Sequence, residues 1–334
     1  MNLLTRLLFG EDDRFQLFRY IEVALRSFLW GLFRPASLFV GHDLVTLPYV
    51  YPLARIRRRR IVYRAHELWS EAAPNFPMAK FWLSLDKYFS ARVDGIVSPE
   101  INRAKIYMDE YGAPKLPTVV FNCPRLIKRP RQSPLRRLLA ERGVDKPFVV
   151  YYQGAIGSTR LVDKLVEAMQ YTSNDISLAM VGWGNGDFID WMNRFIEEHQ
   201  LKNRIVNLGF VEHGPYLFEL CSGADVGVVF AKDDCRNHRF MGTAANKLFE
   251  YMMLGVPILA SSTPSYYTIV EGELVGKCVD SEDPQSIAAG IMELYQNELL
   301  RKELQQSCLR LSKEKYNWDL VFPKLLGLYQ ELMV

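Results

Sequence analysis

The sequence predicts an α/β protein of two domains, each built on a parallel sheet. Three observations carry that expectation. The chain has 334 residues, enough for two full cores. From residue 37 onward, short apolar runs alternate with stretches of helical periodicity, the order that parallel sheets require. The alternation restarts with Phe148-Val149-Val150-Tyr151-Tyr152, after a segment (125–146) that holds Pro130, Pro134 and ten charges and reads as a linker with one short helix.

Composition excludes several classes. With 49% hydrophobic and 24% charged residues the chain is ordinary for a globular protein, so disorder is not expected. Five scattered cysteines, never spaced Cys-x-x-Cys, suit reduced thiols better than a disulfide frame or a zinc site. No apolar run has the length of a membrane span, and residues 1–30 lack the plan of a signal peptide. The net charge of +3 conceals an asymmetry: residues 1–146 carry 25 Lys+Arg against 14 Asp+Glu, a net of +11, and the remainder carries −8. A basic half is expected to face something anionic. A membrane surface fits; nucleic acid is disfavoured because no base-stacking motif accompanies the charge.

Residues 15–33 place Leu17, Phe18, Ile21, Ala24, Leu25, Phe28, Leu29 and Leu32 at helical spacing, with arginines on other faces. A helix packed on a sheet is the expectation, ahead of a membrane-surface helix. Residues 37–42 read as a strand, 44–54 as a helix and 61–67 as a strand, so His42-Asp43 and His66-Glu67 fall at strand ends, where function concentrates in parallel sheets. Arg55, Arg57, Arg58, Arg59, Arg60 and Arg64 form the densest charge and suit docking on anionic headgroups. Residues 92–99 and 118–124 read as further strands around a helix at 100–111.

In the second half, a strand at 148–154 runs into the loop Gly154-Ala155-Ile156-Gly157-Ser158-Thr159-Arg160 and a helix to about 169. Such a loop can cradle phosphate through backbone amides. Strands are expected at 177–186, 204–211, 224–230 and 275–280, and helices to about 199 and at 217–222, 286–295 and 318–333. The centre is 240–260, FMGTAANKLFEYMMLGVPILA. Gly242 and Thr243 form a loop, Thr243 is a candidate N-cap, Leu248, Met252 and Met253 make an apolar face, Gly255 stops the helix, and a buried strand follows. A helix N-terminus after a loop attracts anions, and Lys247 adds charge there. Glu250 lies about one turn on, beside Asn246 and Lys247, placed to accept ribose hydroxyls while amides and Lys247 hold phosphates.

Asn246-Lys247-Leu248-Phe249-Glu250-Tyr251-Met252-Met253-Leu254-Gly255-Val256-Pro257 resembles the donor-site segment of GT-B glycosyltransferases, specifically the retaining family 4. The likeness extends over nearly everything from Ser37 and is strongest at 148–280. It implies two Rossmann-like domains with parallel sheets facing across a cleft, divided as 1–146 (acceptor side), 147–315 (donor side) and a terminal helix, 316–334, returning to the first domain. It implies Glu250 on the nucleotide ribose, Arg160 and Lys247 on the donor diphosphate, and donor contacts from Gly154, Gly182, Val211, Gly242, Thr243 and Asn246. His66 is implied to stand near the donor sugar as the catalytic candidate. No metal or cofactor is implied, and retention of configuration follows from the resemblance alone.

The chain departs from the family pattern at three places. Gly242 stands where a first glutamate is usual, Ala155 where an arginine is, and Cys123 where a glycine is. A complete first domain also opens with a strand, a glycine-rich loop and two more strands, for which about 36 residues are too few. The first domain is therefore expected to be truncated, with a fragment, a natural loss or a partner chain that completes the sheet as open explanations. The expected function is sugar transfer from a nucleotide-diphosphate donor to a glycan or lipid-linked acceptor, in surface polysaccharide or glycolipid assembly. Its alternative is a non-catalytic or partner-dependent nucleotide-sugar-binding subunit. The expected location is cytoplasmic and peripheral at the membrane.

Overall fold

The structure is a computed structural model, and it describes residues 14–71 and 79–333. The described residues divide into two compact units, the first of 14–71, 79–121, 235–240 and 321–333, the second of 122–234 and 241–320.

The first unit opens with α1 (Arg14–Phe33) and then forms β1 (Leu38–His42), α2 (Leu47–Ile56), β2 (Arg60–Arg64), α3 (Ala79–Ser90), β3 (Gly95–Ser98), α4 (Ile101–Asp109) and β4 (Thr118–Val119). The four strands pair in parallel in the order β1-β2-β3-β4. Tyr63, Trp82, Phe89, Ile96 and Tyr107 are among the residues of its core. The strand expected over 118–124 pairs through two residues only, because the chain leaves the sheet before Pro124. The helix expected over 44–54 is a 3₁₀ turn at Leu44–Thr46 followed by α2, Pro48 fitting the helix start. The helix α3 was not expected.

Two expectations about the basic half change. Arg57 is a structural residue: its guanidinium donates to the carbonyls of Gly31, Leu32 and Arg34, at 2.8–2.9 Å, the acceptors that the end of α1 leaves without amides. Arg55 and Arg60 both pair with Asp94. The helix α1 packs on α2 over a narrow face, where Gly31 lies so close that a Cβ there would sit 2.6 Å from Leu53. Tyr20, Ala24 and Phe28 are half-buried, but Phe18, Ile21, Leu25, Leu29, Trp30 and Phe33 are exposed. Packing thus accounts for only part of the apolar stripe.

The second unit contains α5 (Leu135–Ala140), β5 (Phe148–Gln153), α6 (Val162–Ala168), β6 (Ile176–Val181), α7 (Gly186–Glu198), β7 (Ile205–Asn207), α8 (Pro215–Cys221), β8 (Val226–Val229), α9 (Asn246–Leu254), β9 (Ile258–Ser261), β10 (Gly276–Val279), α10 (Pro284–Gln296) and α11 (Glu298–Glu314). Its parallel sheet runs β10-β9-β8-β5-β6-β7. Helices on both faces bury the strands completely, which is why β5, β6, β8 and β9 read as largely apolar runs, Gln153, Ser177 and Ser261 being their polar members. Chain order reverses between β5 and β8, the position where open α/β sheets leave a crevice at the strands' carboxyl ends. The last helix, α12 (Trp318–Met333), counts with the first unit from Val321 on, and its Leu328 packs on Gly95.

Candidate functional site

The carboxyl ends of β5, β6 and β7 are laced together by glycine backbone. Gly154 donates to the Val181 carbonyl at 2.9 Å, Gly182 to the Gly209 carbonyl at 3.0 Å, and Ile156 to the Trp183 carbonyl at 2.8 Å. A Cβ on Gly182 would fall 1.8 Å from the Gly154 carbonyl oxygen, so only glycine allows this approach. Gly154 has φ +128°, a conformation that side chains avoid, and the Lys247 ammonium fills the space a Cβ there would meet, at 3.1 Å.

Lys247, on the first turn of α9, lies 4.3 Å from the centre of the Tyr152 ring, a cation–π contact at the end of β5. Burial, then the Arg160 guanidinium, push its ammonium down to about 7, against the favourable charge of Glu250. Arg160, half-buried in the glycine loop, rests with Nη1 3.6 Å from Met241 Sδ. Arg160 is close enough to depress Lys247, and an anion bound between the two cations would relieve the repulsion.

Glu250 is buried, 4% exposed, and needs partners for its charge. Gln153 Nε2 donates to one oxygen and His213 Nε2 contacts the other at 2.8 Å. His213 is exposed (67% of its side chain) and its ring packs edge-on against Phe218, so moving it gives up that one ring contact and the Glu250 contact. Neither Gln153 nor His213 was expected. Gln153 had one signal, a polar terminus on an apolar strand; His213 had none, because its partner lies 37 positions away.

The helix α9 begins at Asn246 with Ala245 as its N-cap, a residue whose side chain cannot accept from the first amides. Thr243 is therefore not the cap. It sits in the preceding 3₁₀ turn, Gly242–Ala244, where its carbonyl accepts from the Asn122 amide. Gly242 is buried with its amide on Ser265 Oγ, and a Cβ would meet Ser265 at 2.8 Å, so the position where a glutamate is usual has no room for one. Asn246 is exposed at the helix start, and Val211 is half-buried in the loop after β7. Gly255 ends α9 with φ +65°, as expected.

In the first unit, His42 Nδ1 and His66 Nε2 lie 3.1 Å apart with rings nearly parallel. Burial lowers the basicity of both, and Arg64 acts in the same direction; Asp43 opposes it for each. The His66 amide donates to Asp43 Oδ1 at 3.0 Å, and Asp43 itself holds φ +58°. The two histidines thus share one N–H in the neutral pair, a geometry suited to passing or holding a proton.

Comparison with known proteins adds the family. The description "Glycosyl transferases group 1" matches residues 139–313, which is more than half of the chain. The chain belongs to the glycosyl transferases group 1 family. A curated relative, an uncharacterized glycosyltransferase of Methanocaldococcus jannaschii, is 25% identical over 189 residues, 57% of this chain. The alignment spans about half of that relative's length, 46%. Among solved structures, Anabaena HepE in complex with UDP superimposes with a TM-score of 0.78 at 16% identity, covering 94% of this chain and 82% of its own. Sucrose-phosphate synthase of Thermosynechococcus elongatus gives 0.76 at 17% identity, covering 96% and 79%. At these identities the likeness shows the fold: α/β with two parallel sheets, as in GT-B glycosyltransferases. In this group 1 chain, the family match includes the glycine-laced strand ends and the whole of α9.

Proposed function

We propose that this group 1 chain transfers a sugar from a nucleoside-diphosphate donor held in its second unit. One observation carries the reading: the Lys247 ammonium lies over Gly154 at the carboxyl end of β5, within electrostatic reach of Arg160, with the buried Glu250 carboxylate further along the same helix as Lys247. Amides of the glycine loop, the uncapped start of α9 and the two cations suit a diphosphate; a carboxylate reached past a displaceable histidine suits ribose hydroxyls. The same cations would stabilise the diphosphate as it leaves with negative charge, the electrostatic route to acceleration. UDP stands in the complexes of several similar folds, HepE among them, and makes UDP the first donor nucleotide to test.

Within this reading the finer points are also proposals: a retaining reaction of family 4 type, His66 as the catalytic residue, and division into 1–146, 147–315 and 316–334. A lipid-linked acceptor of a surface polysaccharide or glycolipid, and peripheral attachment to anionic membrane, are supported by the charge of the first half and the exposed face of α1. Among the described residues no helix is long and apolar enough to cross a membrane.

Calorimetric titration with UDP, GDP and ADP, followed by turnover with the matching nucleotide-sugars, tests the reading. Glu250→Ala should weaken the preferred nucleotide by about 1.5–3 kcal/mol, the worth of charge-assisted hydrogen bonds. His66→Ala should lower turnover far more than donor affinity. Nucleotide binding without turnover in the wild type would favour the binding-subunit alternative, consistent with Gly242 and Ala155. No binding of any of the three would overturn the donor site.

A further inference from the structure

We propose that Asn237 and Arg103 are positioning residues for His66, an inference that rests on the reading of His66 as the catalytic residue. Residues 235–240 lie in sequence between β8 and α9, yet they count with the first unit. Asn237, near their centre, is 2% exposed, and Arg103 on α4 is equally buried. Arg103 Nη2 donates to the Asn237 carbonyl at 2.6 Å and Nη1 to the His66 carbonyl at 2.9 Å. The Asn237 side chain adds a third bond: its Oδ1 accepts from the Leu68 amide at 2.9 Å.

These bonds fall on the loop that follows β2. A loop has no ladder, so its course depends on what its backbone groups find. Asp43 takes the His66 amide and Tyr107 Oη the Glu67 carbonyl, at 3.0 and 3.4 Å; Arg103 and Asn237 take the His66 carbonyl and the Leu68 amide. Burying a guanidinium is costly unless its charge is answered, and Glu100, the cap of α4, lies close enough to Arg103 to feel that charge. Bonds from a charged fork are stronger than neutral ones and fix the geometry of both acceptors. The segment is anchored beside Asn237 as well. Arg236 pairs with Glu110 at 2.6 Å and with Glu71, which also accepts from Tyr111 Oη. The His66 ring, 3.1 Å from His42, takes its place from the main chain so held. A small displacement of a reacting group slows a reaction without weakening the grip on substrate.

The test asks whether the two residues act through His66. Release of nucleotide from UDP-, GDP- and ADP-glucose by the full chain is measured for wild type, Asn237→Leu, Asn237→Asp, Arg103→Lys and His66→Ala. Asn237→Leu and Arg103→Lys are also each combined with His66→Ala. Asn237→Leu removes the acceptor and should lower kcat roughly ten- to a hundredfold with the nucleotide Kd unchanged. Asn237→Asp keeps an acceptor oxygen and should retain most of the turnover. Arg103→Lys keeps the charge without the fork and should lower kcat in the same way; it carries the test if Asn237→Leu does not fold. In the His66→Ala background neither should cost anything more. Unchanged kcat in Asn237→Leu and Arg103→Lys overturns the proposal while His66 keeps its role. Equal losses with and without His66 overturn it too, since the residues would then serve the fold and not the imidazole. If His66→Ala leaves turnover unchanged, the role of His66 and this inference fall together and the donor site stands. A wild type that binds nucleotide and releases none removes the transfer reading and this inference, again without touching the donor site.

Discussion

Lys247 titrates at about 7 because burial and Arg160 disfavour its ammonium, and that sets two pH dependences of opposite use. For stability, the folded chain binds the proton less tightly than the unfolded chain, whose lysine keeps the ordinary value of 10.5. The penalty is full below about 7 and lifts as pH rises from 7 toward 10.5. For the proposed donor the order reverses. A diphosphate prefers the charged form, so above pH 7 binding must take up a proton, and affinity should fall by up to about tenfold per pH unit. Lys247→Arg keeps its charge and should flatten the profile between pH 7 and 9, while Lys247→Ala should lower affinity throughout. Titration in buffers of different ionisation enthalpy reads the proton directly; zero uptake at pH 8 in the wild type would remove Lys247 from the phosphate site. The residue types at this site were legible as a pattern on one helix, Asn246, Lys247 and Glu250. Their partners were not, since Gln153 reaches Glu250 from 97 positions away and only the sheet brings them together.

The elements that position the site are strand ends joined without side chains, and the close approach of Gly182 to Gly154 is their tightest point. Gly182→Ala would place a methyl 1.8 Å from a backbone oxygen that cannot swing aside. The strand ends must separate, at a cost of at least about 1–3 kcal/mol, and Gly154 moves from beneath Lys247. Thermal unfolding should show a lowered Tm and calorimetry a loss of nucleotide binding; an unchanged Tm would mean that the loops give way more easily than their backbone hydrogen bonds suggest. Strands of the second unit were readable because burial on both faces makes them apolar over nearly their whole length. The two-residue β4 was overextended, since an apolar run shows that a segment is buried and not that it has a strand beside it. The helix α3 went unread because its burial rests on Trp82, Asp86, Phe89 and Ser90, a mixture in which two polar residues interrupt the apolar period. The cap of α9 was misassigned for a related reason: Thr243 has the right side chain, but the chain makes a 3₁₀ turn before the helix starts.

Across the whole molecule the charge is segregated, with +11 in residues 1–146 and −8 after them. That much the composition displays, but it does not say which arginines are free to act. Arg57 closes the end of α1, and Arg55 and Arg60 hold Asp94, so replacing them would damage the first unit. Arg58 and Arg59 are exposed and their side chains make no hydrogen bond or ion pair among the described residues. Arg57, the residue before them, caps α1, whose Phe18, Ile21, Leu25, Leu29 and Phe33 form an uncovered stripe with Arg26 and Trp30 along its edge. In the membrane attachment proposed above, this stripe would lie in the bilayer surface while the cations beside it meet anionic headgroups. Each cation near the surface contributes about 1 kcal/mol, so Arg58→Gln with Arg59→Gln should lower binding to anionic vesicles by about 2 kcal/mol, and Leu25→Ser with Leu29→Ser should lower it independently. Salt should weaken the wild type in the same assay, as screening shortens to about 10 Å at 0.1 M, and neither pair of substitutions should alter nucleotide affinity. Flotation with vesicles rich in anionic lipid reads all of this. A wild type that stays at the bottom of the gradient at low salt removes the membrane and leaves a second protein as the occupant of the α1 face.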